Sequence, residues 1–244
     1  MTEYFSTRGC RMRFLANLLD DPSDEPCGVC DNCTSISASR DLPLGLIAEA
    51  EAFLRRRPIV IRPRKRRYDA GRDTTTMIPT DEQLAEGRVL SIWGDAGWGQ
   101  LARDGKQRDE HFDDKLVEAL AELVRDWQPD PAPEWVAAVP SRRHPDLVRS
   151  LAERVASRLG LPCHAVVEKV ADRPRQKAQQ NSMHQQRNVA GAFVVGAPVP
   201  QAPVLLVDDV FDSGWTLTEV GRLLRRAGAT VVYPVALASS AGRD

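Results

Sequence analysis

The sequence lacks any long apolar run. No stretch of the 244 residues approaches the roughly 18 consecutive apolar residues that a membrane-spanning helix needs. A signal-peptide pattern is also missing, because Glu3 and Arg8 interrupt the N-terminus and no continuous apolar core follows. We therefore expect a cytoplasmic protein with no membrane partner.

An excess of charge of one sign is also lacking. The 33 Lys and Arg residues nearly balance the 34 Asp and Glu residues, which gives a formal net charge of −1. A polycation that coats nucleic acid is thereby excluded, and any contact with DNA must come from a local basic patch. The apolar content of 42% and the charged content of 27% are ordinary for a globular chain of one or two domains.

Cysteine is present at five positions, and four of them have the spacing of a metal site. Cys10, Cys27, Cys30 and Cys33 form the pattern C-x16-C-x2-C-x2-C. Tetrahedral zinc takes four soft ligands, and each Cys-x-x-Cys turn brings two thiolates to one metal. Disulfides or redox thiols are the less favoured alternative in a cytosolic chain. Cys163 lies in a predicted strand, and we expect it to be a buried thiol.

The segments around these cysteines resemble a known module. Residues 9–15 (GCRMRFL) and 26–33 (PCGVCDNC) are similar to the zinc-binding subdomain of RecQ-type DNA helicases. The resemblance implies a structural Zn²⁺ ion, contact with DNA, and an upstream helicase motor domain as partner. The chain has no G-x-x-x-x-G-K-[ST] loop, so we expect no ATP-driven motor of its own. Residues 1–40 are interpreted as this subdomain, with an amphipathic helix over residues 3–19.

A basic segment follows in residues 41–87, which are interpreted as a helix and strand linker or a winged-helix remnant. Residues 55–67 hold eight Arg or Lys side chains around a short apolar strand at 59–61. Such a cluster can follow a phosphate backbone, and a solvated basic surface is the alternative. The predicted DNA-binding residues are Arg55, Arg56, Arg57, Arg62, Arg64, Lys65, Arg66 and Arg67.

Residues 88–244 alternate between apolar runs and amphipathic stretches. Strands are expected at 89–93, 135–140, 163–168, 192–195, 204–210 and 231–237, and helices at 111–127, 146–159 and 216–227. This alternation predicts an α/β fold with a parallel sheet flanked by helices. A ligand then binds beyond the carboxyl ends of the strands.

The stretch 204–216 (VLLVDDVFDSGWT) carries the clearest binding motif in that region. A buried strand runs into Asp208 and Asp209, and a loop with Gly214 leads into a helix. Free backbone N–H groups and the helix dipole favour an anion in such a loop. The two carboxylates accept hydrogen bonds and therefore suit the hydroxyls of a ribose. A sugar phosphate fits both halves of the motif.

This motif resembles the ribose-phosphate signature of type I phosphoribosyltransferases, and residues 187–193 (RNVAGAF) after Gln176 are similar to the ComF-like branch. The resemblance implies binding of 5-phosphoribosyl diphosphate (PRPP) or another nucleotide or sugar phosphate, with Mg²⁺ bound mainly through PRPP. Trp215 departs from the family, which usually has a small residue there. Under this resemblance Asp208 and Asp209 hold the ribose; Asp212, Ser213, Gly214, Trp215 and Thr216 hold the 5-phosphate; Ser141, Arg142 and Arg143 face the pyrophosphate; and Arg173, Arg175, Lys177 and Arg187 belong to a lid, or to a surface loop.

Two functions are compatible with these patterns. The favoured one is a DNA-binding C-terminal module of a RecQ-like helicase, acting in DNA repair or recombination, which carries a PRPP- or nucleotide-binding phosphoribosyltransferase-like domain. The alternative is an active phosphoribosyltransferase that moves ribose 5-phosphate from PRPP to a base-like acceptor. Lys106 resembles a basic position of that family.

Overall fold

The structure is a computed structural model. It describes residues 2–22, 24–35, 42–57, 59–69, 71, 73–171, 186 and 189–240. The chain divides into two compact units, residues 1–48 and residues 49–244, and each is considered by itself. Among the described residues, no helix is both long enough and apolar enough to cross a membrane.

The first unit is a small, largely irregular module with short helices. They are α1 (Thr2–Ser6), α2 (Arg11–Leu18) and α3 (Asp31–Thr34), and α4 (Leu44–Arg55) begins near its end. The single helix predicted over residues 3–19 is interrupted at Thr7–Cys10. Here Cys10 acts as the N-cap of α2, because its Sγ accepts a hydrogen bond from the backbone N of Arg13 at 3.4 Å.

The second unit is built on a five-stranded sheet in the order β1-β4-β9-β8-β5. The strands are β1 (Ile59–Ile61), β4 (Gly87–Ile92), β5 (Trp135–Ala138), β8 (Val204–Phe211) and β9 (Val232–Ser239). Four of them are parallel, and only β1 pairs antiparallel, with β4 at the edge. The predicted α/β fold with a mostly parallel sheet is therefore confirmed. The strand at 59–61 had been placed in a linker, whereas it is an edge strand of this sheet.

Helices cover both faces of the sheet. The remaining helices are α5 (Gly99–Asp104), a π-helical turn (Gly105–Asp109), α6 (Asp114–Trp127), α7 (Pro145–Leu159) and α8 (Trp215–Arg226), with a 3-10 turn at Thr80–Glu82. One apolar core joins α6 and α7 to the sheet through residues such as Leu120 and Leu151. The other joins α8 to the opposite face through Val220 and Leu224. Both faces of the sheet are thus covered by buried apolar side chains, as is typical of a parallel sheet.

Two further two-stranded sheets lie outside the main sheet. The pair β2 (Arg66–Asp69) and β3 (Thr74–Met77) is antiparallel, and so is the pair β6 (Val167–Lys169) and β7 (Phe193–Val195). The runs at 163–168 and 192–195 were predicted as strands of the parallel sheet, but only Cys163 makes an isolated bridge, to Val136. Pro162 precedes it and offers no backbone donor, which limits pairing at this edge.

A buried ion-pair cluster joins the 3-10 turn to α8. Glu82 accepts from Arg222 Nε at 3.0 Å and from Arg226 Nε at 2.6 Å, and Arg222 is only 3% exposed. Burial alone would raise the pKa of Glu82, but the hydrogen bonds from Arg222 and Arg226 outweigh it and hold the pKa below its usual value. The cluster fixes α8, which begins at Trp215 within the stretch 204–216.

Candidate functional site

The acidic pair lies near the end of β8, an interior strand between β9 and β5. Asp208 and Asp209 are each only 8% exposed. The backbone N of Asp209 donates to Asp208 Oδ1 at 2.9 Å, which fixes the orientation of the first carboxyl group. Two carboxyl groups in adjacent, nearly buried positions are costly to ionise together, and such arrangements are frequent in functional sites.

The surroundings of Asp208 favour its protonated form. Burial, and then the charge of Asp209, raise the pKa of Asp208 to about 7, although the backbone N–H of Asp209 and the charge of Lys106 oppose the shift. Near neutral pH the pair can therefore offer one carboxylic acid that donates a hydrogen bond and one carboxylate that accepts. Both capacities suit vicinal hydroxyl groups of a sugar.

Lys106 supplies the cation next to this pair. Its Nζ lies 2.9 Å from Asp209 Oδ1 and 2.8 Å from Asp209 Oδ2. It is carried by the π-helical turn at Gly105–Asp109, where Gly105 has no room for a side chain, since a Cβ would lie 2.6 Å from the carbonyl O of His111. The sequence pointed to Lys106 only through a family resemblance. An irregular turn of this type has no periodic signature that would have revealed the contact.

The loop after β8 leads into α8 without a side-chain cap. Gly214 is the N-cap of α8, it makes no side-chain cap hydrogen bond, and the first turn holds no acidic residue. The Gly214 carbonyl accepts from the backbone N of Thr218 at 2.9 Å and from its Oγ1 at 2.8 Å. The first turn of α8 thus brings no carboxylate of its own to the helix N-terminus, where the backbone amides and the helix dipole favour an anion.

The second predicted loop lies beside the first. Strands β5 and β8 are paired in parallel with Ala138 opposite Val207, and the backbone N of Val139 donates to the Val207 carbonyl at 2.9 Å. Residues 140–143 and the acidic pair thus emerge at the same edge of the sheet. Ser141 Oγ accepts from the backbone N of His144 at 3.3 Å, while the side chains of Arg142 and Arg143 are exposed.

The basic segment is not a uniform surface. Arg64 is half-buried, and its Nε and Nη2 donate to the Ser213 carbonyl at 2.9 Å and 2.5 Å. Its guanidinium lies 4.2 Å from the centre of the Trp215 ring. Arg64 is among the residues that the sequence predicts to contact DNA, and in the structure these groups hold it against the loop. The exposed basic side chains of the segment are Arg55, Arg56, Arg57, Arg62, Lys65 and Arg66, and Arg67 is partly exposed.

The predicted lid lies outside the described residues, as do Arg173, Arg175, Lys177 and Arg187. Gln186, which belongs to the same stretch, is described and buried. Its side-chain amide pairs with the backbone of Tyr68 in β2, with Nε2 donating to the carbonyl and Oε1 accepting from the N–H, both at 2.7 Å. The β2–β3 hairpin is therefore tied to the chain that leads into β7.

In the first unit, the four predicted metal ligands come together. The Sγ atoms of Cys10, Cys27, Cys30 and Cys33 all lie within 4.8 Å of one another, and all four thiols are free. Tetrahedral zinc with Zn–S bonds of about 2.3 Å requires S···S separations near 3.8 Å, so a small contraction would complete the shell. Backbone N–H groups of Cys27 and Arg13 lower the pKa of Cys10 to about 6, which favours a thiolate ligand.

The remaining side chains of this unit brace the cysteine turns. Arg11 makes a bidentate pair with Asp31, with Nε–Oδ1 at 2.7 Å and Nη2–Oδ2 at 3.0 Å. Asn32 Nδ2 donates to the carbonyls of Thr7 and Gly9 at 2.9 Å and 2.7 Å. The loop that carries Cys10 is therefore fixed to the helix that carries Cys33. The residues present fit a metal ion held by four cysteines.

Residues 149–243 match the phosphoribosyl transferase domain family model. This part of the chain is therefore a phosphoribosyltransferase domain, and it contains the acidic pair and the loop before α8. The match includes neither Lys106, nor loop 140–143, nor the cysteine unit. The comparison with curated proteins found no match.

Solved structures that are similar to this chain include two phosphoribosyltransferases and a PRPP amidotransferase. A purine phosphoribosyltransferase from Pyrococcus horikoshii Ot3 is 23% identical, with 52% of this chain and 71% of that chain covered and a TM-score of 0.34. An orotate phosphoribosyltransferase from Aeropyrum pernix is 22% identical, with 52% and 61% covered and a TM-score of 0.34. The glutamine PRPP amidotransferase from B. subtilis is 23% identical, with 50% and 26% covered and a TM-score of 0.35. At these values the likenesses carry no information about substrate or partner.

Proposed function

We propose that the phosphoribosyltransferase domain binds PRPP at the carboxyl edge of its sheet. The observation that carries the proposal is the buried pair Asp208 and Asp209, followed within a few residues by a helix whose N-cap, Gly214, makes no side-chain cap hydrogen bond. The first feature suits two neighbouring hydroxyl groups, and the second suits a phosphate monoester. Ribose 5-phosphate joins these two groups in one molecule at a separation of a few bonds.

The neighbouring loop completes the ligand. Residues 140–143 emerge from β5, which is paired with β8, so Arg142 and Arg143 lie on the same edge as the acidic pair. We assign these two residues to the pyrophosphate group, because guanidinium groups bind phosphate oxygens through charge-assisted hydrogen bonds. We expect Mg²⁺, held by PRPP oxygens and water, to supply charge neutralisation of the pyrophosphate.

Lys106 has a distinct task in this proposal. It neutralises Asp209 in the free protein, where the two carboxyl groups would otherwise repel each other. When the ribose hydroxyls bind, they donate hydrogen bonds to Asp209 in place of the Lys106 ammonium group, which remains close to the phosphate-bearing ligand. Removal of this cation should weaken the binding of an anionic ligand.

The binding claim can be tested with a series of ligands in calorimetry. Ribose 5-phosphate tests the acidic pair with the loop before α8, pyrophosphate with Mg²⁺ tests residues 140–143, and PRPP with Mg²⁺ spans both. We expect PRPP to bind most tightly, and Ser141→Ala/Arg142→Gln/Arg143→Gln to lose pyrophosphate while keeping ribose 5-phosphate. Binding of neither fragment to the wild type would refute the assignment.

Transfer of the phosphoribosyl group is the finer form of the same proposal. The bond between the anomeric carbon and the pyrophosphate oxygen breaks, and a bond from that carbon to a nitrogen of a base-like acceptor forms. Positive charge develops on the sugar, and the Asp208 and Asp209 carboxyl groups are placed on the ribose to stabilise it. Pyrophosphate release, measured with purine and pyrimidine bases, tests this step. Release that is equal in the wild type and in Asp208→Asn/Asp209→Asn would contradict it.

A second proposed function concerns the first unit, which we infer to be a zinc module of the RecQ type that contacts DNA. The support is the clustering of four thiols in this unit. The exposed arginines of residues 55–66 belong to the second unit and are separate candidate phosphate contacts. Zinc would cross-link the turns that carry the cysteines. Fluorescence anisotropy with forked and duplex DNA at low salt tests the idea, with Arg56→Ala/Lys65→Ala/Arg66→Ala as the charge variant. Absence of binding to both DNAs, with and without zinc, would exclude it.

A further inference from the structure

Arg64 has an unusual set of contacts for a residue in a basic segment. Two of its nitrogen atoms donate to one acceptor, the Ser213 carbonyl, and its guanidinium faces the Trp215 ring at 4.2 Å. Trp215 is itself only 6% exposed. Arg64 follows the edge strand β1 and Ser213 follows the interior strand β8, so the contact joins segments separated by 149 positions in the sequence. An arginine held in this way is fixed in position and orientation.

The contact determines how one peptide group of the loop is turned. In a planar trans peptide the C=O and the following N–H point in opposite directions. Because Arg64 holds the Ser213 carbonyl, the N–H of Gly214 must point to the side away from Arg64. Gly214 has a φ of +76°, and a Cβ there would lie 2.8 Å from the Phe211 ring, so the residue after this peptide is also constrained.

The next peptide is held by the helix itself. The Gly214 carbonyl accepts two hydrogen bonds from Thr218, which is the first turn of α8 closing on its N-cap. The N–H groups of this turn therefore point towards the N-terminal end of α8. The Ser213–Gly214 peptide, in contrast, is held by a side chain from outside the motif, that of Arg64.

We propose that Arg64, seated on Trp215, is a positioning residue for the phosphate loop. It turns the Ser213–Gly214 peptide so that the Gly214 N–H joins the N-terminal amides of α8 in binding the 5-phosphate. The inference rests on the proposed PRPP function and adds a residue from outside the family match. It also gives Trp215 a role, since the indole provides the surface on which the guanidinium stacks.

A purely structural role predicts a different pattern. If Arg64 only stabilised the fold, its loss would weaken every ligand to a similar degree. The proposed role affects the ligand that reaches the Gly214 amide, which is the 5-phosphate, and spares pyrophosphate bound at residues 140–143. The comparison of ribose 5-phosphate with pyrophosphate therefore separates the two roles.

The experiment uses the full chain with Arg64→Gln and Arg64→Lys, and Arg158→Gln as an exposed control at the far end of α7. Arg64→Lys keeps the positive charge but lacks the planar guanidinium that donates twice to the Ser213 carbonyl. It replaces Arg64→Gln in the experiment if the glutamine variant does not fold. We expect ribose 5-phosphate to bind about tenfold more weakly to either Arg64 variant, the size of one lost charge-assisted hydrogen bond. Pyrophosphate binding should change by less than about twofold, and Arg158→Gln should resemble the wild type.

An amide NMR titration gives a second measurement. The Gly214 resonance should shift with ribose 5-phosphate in the wild type, and this shift should be lost in Arg64→Lys. Equal weakening of both ligands, or unchanged ribose 5-phosphate binding, would overturn the role of Arg64 while leaving the PRPP proposal intact. Failure of the wild type to bind either ligand would instead remove the PRPP proposal and this inference together.

Discussion

Replacing Asp208 with Asn is expected to stabilise the second unit at neutral and alkaline pH. Asp208 is nearly buried, and its pKa is raised to about 7, first by burial and then by the charge of Asp209. Asparagine has the shape of the protonated acid. It keeps the oxygen that accepts from the backbone N of Asp209 at 2.9 Å, and it adds a donor that can face the Asp209 carboxylate.

The sign and size follow from proton linkage. An acid whose folded pKa lies above its unfolded value of 3.8 binds its proton more tightly in the folded state. Its contribution to stability is therefore present at low pH and is lost as the pH rises from about 4 to about 7. For a pKa raised by roughly three units, the free energy of unfolding is lower than at acid pH by about 4 kcal/mol at pH 8 and by about 2 kcal/mol at pH 5. Asp208→Asn removes this loss of stability. The difference in free energy of unfolding between the variant and the wild type should therefore grow, in favour of the variant, from pH 5 to pH 8.

The assay is urea unfolding followed by tryptophan fluorescence at pH 5, 6.5 and 8. All five tryptophans, at positions 93, 98, 127, 135 and 215, belong to the second unit, so the signal reports on that unit alone. Asp212→Asn is the matched control, because Asp212 is exposed on the same loop, and it should change stability by less than about 0.5 kcal/mol. The reasoning is refuted if Asp208→Asn destabilises the protein at pH 8, or if its effect does not vary with pH.

Three further predictions concern the neighbours of the site and the first unit. Lys106→Met removes a positive charge that lowers the pKa of Asp208, so the midpoint of the pH-dependent loss of stability should move to higher pH. An unchanged midpoint would show that Lys106 does not act on the acidic pair. Glu82→Gln removes the closer of the two carboxylates that pair with the buried Arg222 and should destabilise the second unit by about 3–5 kcal/mol in urea unfolding. Glu219→Gln should cost less than about 1 kcal/mol, and equal effects of the two substitutions would argue against the cluster. Metal analysis should find one zinc ion per chain, most of it lost in Cys27→Ser and retained in Cys163→Ser; zinc retained by Cys27→Ser would rule out the four-cysteine site.

The sheet and its helices were largely predictable, because periodicity reports burial. The apolar run at 204–210 and the amphipathic helix at 111–127 correspond to β8 and to α6 (Asp114–Trp127). Hydrophobic periodicity did not predict which strands pair with each other. The short run at 163–168 has the composition of a strand of the main sheet, but β6 pairs with β7 in a separate two-stranded sheet. Local sequence does not encode which of two edges a three-residue strand will join.

Only those residues of the candidate site that are neighbours in the sequence were predictable from a motif. Asp208, Asp209 and the loop up to Thr216 are contiguous, so one motif identifies them. Lys106 reaches Asp209 across 103 positions through a π-helical turn. Arg64 is likewise predicted from the sequence as a DNA contact, because a run of arginines gives no indication that one of them stacks on a tryptophan. Contacts of this kind depend on tertiary packing and have no signal in spacing or composition.

The most direct test of the account is a calorimetric titration of the full chain with PRPP and Mg²⁺, in parallel with Asp208→Asn/Asp209→Asn. We predict a saturable one-to-one binding heat in the wild type, and its loss in the double variant, which should remain folded by tryptophan fluorescence. A wild type that gives no heat, or a double variant that binds PRPP as tightly as the wild type does, would contradict the assignment of the acidic pair to the ribose of PRPP.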